Sequence, residues 1–128
     1  MMRFLIALTM LAISGQAISA CPTAEARSTL KKWGFAYCLK THYEAGHKLD
    51  SAAVALGGYF QLGSHNSEQA YDNVRQFVDE RFNAMHKTSK QPGQNLAVMT
   101  CLDIYESREY RSMIVDQDRF IGGAFEDK

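Results

Sequence analysis

Apolar side chains return every three or four residues along most of this chain. From Thr23 to about Tyr43 they are Ala26, Leu30, Trp33, Gly34, Tyr37 and Cys38, with Lys31, Lys32 and Lys40 off the stripe, which predicts a helix buried on one side. Gly46, within Glu44-Ala45-Gly46-His47, is placed to stop it. Asp50 can cap a second helix, on which Ala52, Leu56, Tyr59 and Phe60 share a face. Gly57-Gly58 in its middle costs roughly 1 kcal/mol per glycine against alanine. The pair therefore predicts either another helix packed closely there or a break between two short helical pieces.

Gly63-Ser64-His65-Asn66 reads as a loop, and Asn66 with Gln69 resembles a capping box opening a third helix. Ala70, Tyr71, Val74, Phe77, Val78, Phe82 and Met85 keep helical spacing for more than four turns, while Asp72, Arg75, Asp79 and Glu80 are assigned to water. Residues 87–94 hold no large apolar side chain and carry the Pro92-Gly93 turn signal, so they form an exposed connection. Asn95 can cap a last helix with Leu96, Met99, Leu102 and Tyr105 inward and Cys101 beside them, running on through Tyr110, Met113 and Ile114 and fraying beyond Asp116. No segment alternates apolar and polar residues long enough for a strand. The fold class is all-α, a compact bundle of about four main helices.

The amino terminus changes where this bundle works. Arg3, the apolar run Phe4 to Ile13 and the small, polar stretch Ser14 to Ala20 have the order of a signal peptide, which makes residues 1–20 a secretion signal and residues 21–128 one domain. The run is too short for a membrane span of roughly 20 residues, and no second one follows. Cleavage after Ala20 stands beside a lipobox reading, in which Ile18-Ser19-Ala20-Cys21 ends on a lipidated Cys21. Loss of Arg3 leaves 13 basic against 14 acidic side chains, which argues against nucleic acid or an anionic membrane as a partner.

Export also decides how the cysteines are read. Cys38 and Cys101 both lie within apolar helical segments in an oxidising compartment, so they are paired as a disulfide and Cys21 is left as lipid carrier, free thiol or intermolecular partner. A cysteine nucleophile with His42, His47, His65 or His86 as base is the competing enzyme reading, but catalytic thiols need exposure and a positive setting. No metal-binding spacing occurs, and the four histidines read as solvated loop ends. Asp103, Glu106 and Glu109 read as a solvated face, not a glycosidase pair. No phosphate-cradling loop and no cofactor motif is present. The residues themselves point to binding, not catalysis.

Leu30-Lys31-Lys32-Trp33-Gly34 followed by Cys38, Gly57-Gly58-Tyr59-Phe60, Glu68-Gln69-Ala70-Tyr71 and Val98-Met99-Thr100-Cys101-Leu102-Asp103-Ile104-Tyr105 stand in an order and spacing that resembles the type VI secretion amidase immunity proteins, from about residue 27 to 115. The resemblance implies a periplasmic, non-enzymatic partner of a toxin: it blocks a peptidoglycan amidase delivered by neighbouring cells. It also implies a homodimer, each copy holding one amidase, and a cysteine pair matching Cys38 and Cys101. An inhibitor of a cleft enzyme needs a rigid scaffold with an exposed loop, so that docking loses little entropy. Two connections qualify equally at this stage: Ser64, His65 and Asn66, or Lys87, Thr88, Ser89, Lys90, Gln91 and Gln94. An inhibitor or lipoprotein adaptor with another target, such as a lysozyme inhibitor, is the alternative from the same class of function.

Overall fold

A computed structural model describes residues 22–43, 50–63, 66–86, 89–91 and 95–121. The expected secretion signal, Cys21, the expected stop at Gly46, Ser64, His65, Lys87, Thr88, Gln94 and the tail from 122 lie outside them. The elements are α1 (Pro22–His42), α2 (Asp50–Leu62), α3 (Glu68–Met85), α4 (Ala97–Glu106), α5 (Arg108–Asp116) and a short 3-10 helix (Gln117–Phe120). The all-α class holds, and helices α1 to α3 fall where the periodicity puts them.

Helix α1 packs against every other element and is the hub of the molecule. Its buried positions, Ala26, Thr29, Leu30, Trp33, Gly34, Ala36 and Cys38, run around more than one side, so the one-sided stripe is an underestimate. A helix surrounded by neighbours loses its clear polar face. Trp33 stacks on Tyr37 and meets Tyr71 of α3 edge-on, with centroids 4.8 Å apart in the second pair. Tyr110 of α5 reaches across the core, and its hydroxyl donates to the Lys31 carbonyl at 2.9 Å. Burial pushes that phenol far above its ordinary range.

Helix α2 lies along α1 and runs unbroken through Gly57 and Gly58, where an added Cβ would meet nothing within 4 Å. Neither expectation for the pair holds: the glycines mark neither a close contact within the chain nor a break. They are on an exposed side of the helix.

Helix α3 begins one residue later than a cap at Asn66 would allow. Ser67 precedes it without a side-chain cap, and Gln69 donates to Asn73 at 2.9 Å, so no capping box forms. Asn66 is buried and serves tertiary structure: its Nδ2 donates to the Ala26 carbonyl at 3.1 Å.

The last helix is two helices. Ser107 leaves the helical region at ψ 147°, its Oγ accepts from the Tyr110 N–H at 3.1 Å, and α5 starts from that cap. The cap position of α4 is Leu96, not Asn95; Asn95 stands one residue earlier and accepts from the Ala97 N–H at 2.7 Å. Residues 117–121, just beyond Asp116, are not frayed. Gln117 is buried and accepts from Asn73 at 2.7 Å, Asp118 pairs with Arg27 of α1, and Ile121 bridges to Asn66. Among the described residues no helix is long and apolar enough to cross a membrane.

Candidate functional site

Cys38 and Cys101 are joined to each other, Cα to Cα 5.8 Å, and both are buried in the core. The bond ties the second half of α1 to the middle of α4. Two sulfurs in a disulfide offer no thiolate, so neither can serve as the nucleophile of the enzyme reading.

The titratable group that the sequence misplaces is Asp79. It keeps part of its side chain in water but also holds the end of α1: Tyr37 Oη donates to its Oδ2 at 2.9 Å, and His42 Nε2 lies 2.9 Å from its Oδ1. His42 is correspondingly no solvated loop end, since its ring also stacks on Phe82 at 3.9 Å. Burial, followed by the hydrogen bond to Asp79, raises the Tyr37 phenol above its ordinary value. This cluster locks α1 to α3. His86 is exposed, with Nδ1 3.1 Å from the Asn83 carbonyl, and His47 and His65 lie outside the described residues. The carboxylates Asp103, Glu106 and Glu109 are exposed.

Of the two candidate loops, the first reaches the described residues only at Asn66, whose side chain is committed to Ala26. In the second, Ser89 Oγ accepts from the Gln91 N–H at 3.1 Å, a local turn that leaves the Lys90 and Gln91 side chains exposed.

That second loop leads directly into α4, and α4 is turned relative to the sequence expectation. Its inward residues are Ala97, Thr100, Cys101 and Ile104; Met99 is 50% and Leu102 42% exposed, with Val98 exposed beside them. The cause is the disulfide. Cys101 must point at Cys38, and residues three and four positions away turn inward with it, which rotates Met99 and Leu102 out. Tyr105 is half-buried against Phe35. An apolar strip on α4 therefore follows the exposed turn in the chain. The sequence signal was available: pairing Cys101 with a residue on α1 fixes the register of α4 more firmly than counting leucines does.

Residues 28–114 match the family model described as type VI secretion system (T6SS), amidase immunity protein. No curated protein and no solved structure matches the chain.

Proposed function

This chain belongs to the type VI secretion system amidase immunity proteins, and from that premise we propose that it binds a peptidoglycan amidase effector and blocks it, without chemistry of its own. The family match carries the proposal. The structure supports it by supplying a crosslinked helical scaffold and, on one side, a polar turn at Ser89, Lys90 and Gln91 followed by exposed Val98, Met99 and Leu102. Exposed apolar side chains grouped with a polar rim are the surface type that protein partners cover. We assign effector docking to residues 87–94 together with this strip of α4. The loop at 64–66 is the lesser candidate, because Asn66 is tied into the fold.

The working compartment is the periplasm, reached through the signal at residues 1–20. The homodimer has a surface suited to it in α2, where Val54 is 75% and Leu62 61% exposed on the side that carries Gly57 and Gly58. Glycines allow two helix backbones to approach closely.

The test is co-expression of the full chain with a periplasm-directed amidase encoded beside it, scoring lysis, with amidase activity then titrated by purified protein. Protection together with stoichiometric loss of amidase activity supports the proposal. Lysis that continues although the protein is folded and exported, across a panel of type VI amidases, overturns it.

A further inference from the structure

A concave site lies where α1, α4 and α5 meet. It is a pocket of about 390 Å³, within the range of roughly 300–1,000 Å³ common for small-ligand sites. Three cations line it, Arg27, Lys31 and Arg111, while Tyr105, Ile114 and Val115 supply apolar wall; no carboxylate is part of the lining. Arg27 is satisfied by both oxygens of Asp118. Lys31 and Arg111 stand against each other instead. The Lys31 ammonium is held 4.1 Å above the Tyr105 ring, and its pKa is lowered first by burial and then by the Arg111 charge, with Glu106 acting the other way.

With Asp118 set against Arg27 and Glu106 acting on Lys31 from outside the lining, the three cations beside the apolar wall still leave net positive charge that attracts an anion. A guanidinium offers a planar fork that matches a carboxylate in two parallel hydrogen bonds, and an ammonium adds a point charge. The wall of Tyr105, Ile114 and Val115 gives nothing to a bare inorganic ion but covers a branched hydrocarbon. We propose that this pocket binds an organic carboxylate carried on a short branched apolar stem. The site uses other side chains than the α4 strip proposed for effector docking, although Tyr105 neighbours Leu102 one turn along that helix.

Isotope-labelled protein titrated with isovalerate, with the neutral isovaleramide and with inorganic phosphate tests this by NMR. Isovalerate is expected to give saturable shifts at Lys31, Tyr105, Arg111 and Val115 that the other two do not match. Arg111→Gln weakens binding about tenfold, the scale of one charge-assisted hydrogen bond, and Arg111→Lys retains part of it, both at unchanged melting temperature. An acetylated Ala-Leu dipeptide with a free carboxyl terminus separates the sources. Tighter binding than isovalerate points to a peptide terminus, and equal binding to a free acid. The proposal is overturned if the amide or phosphate binds as well as isovalerate, if shifts map elsewhere or are absent, or if Arg111→Gln binds like the parent.

Discussion

Gly34 sits where α1 passes beneath Tyr110, and no other residue fits there. A Cβ at this position would overlap Tyr110 Oη and come to 2.6 Å from Val74 Cγ1, and the tyrosine cannot withdraw without giving up its bond to Lys31. Gly34→Ala is expected to destabilise the protein by about 1–3 kcal/mol, the range for overpacking a filled core, seen as a lower urea midpoint. Asp118 makes a prediction with a sign in pH. The hydrogen bonds from Arg27 hold its carboxyl below the usual carboxylate value. A depressed folded-state pKa means stability that is present above the unfolded value and is lost as pH falls through the folded one. Both side chains are partly exposed, so the pair contributes at most about 1 kcal/mol. Asp118→Asn should lower the urea midpoint slightly at pH 7, with the gap from the parent closing in acid below about pH 4. A gap that stays constant would mean the pair contributes nothing electrostatic.

At the scale of elements, α2 and α4 each carry more than one exposed apolar side chain among the described residues, and each yields a separable variant. Leu102→Glu places a charge on the α4 strip, where the side chain is already exposed, and is expected to leave melting unchanged while weakening amidase binding about tenfold or more. Calorimetry reads both. Gly58→Leu fills open space in the monomer, so helix content should rise or hold, while sedimentation is expected to show loss of the proposed dimer. A dimer that persists would place its interface elsewhere. The sequence made α3 legible because α3 presents one face to the core and the other to water, apart from Asp79. It read α1 only in part, since a hub helix is buried around more than one side. It misread α4, which carries two apolar faces, Leu96, Met99 and Leu102 on one and Ala97, Cys101 and Ile104 on the other; pattern alone chose the larger side chains. The break at Ser107 was also hidden, because the apolar spacing carries across the join to Tyr110. The exposed strip proposed for docking was invisible for the same reason that α4 was misread.

Across the whole molecule, one covalent bond decides both stability and presentation. The disulfide spans a sequence separation of 63 and holds α4 on the hub helix. In the chain-entropy model a loop of that size contributes about 4 kcal/mol, against roughly 5–15 kcal/mol for a whole domain. Replacing both cysteines, Cys38→Ala with Cys101→Ala, avoids a stray thiol and should lower the melting temperature by on the order of 20 °C. The same bond sets which face of α4 points outward, so its loss should act on binding as well as on folding. If α4 is free to rotate, Met99 and Leu102 compete with Ala97 and Ile104 for the core, and the docking strip is no longer preorganised. The double variant, measured well below its melting temperature, should therefore bind the amidase more weakly than its folded fraction accounts for. Binding equal to the parent under those conditions would show that packing alone fixes the register of α4.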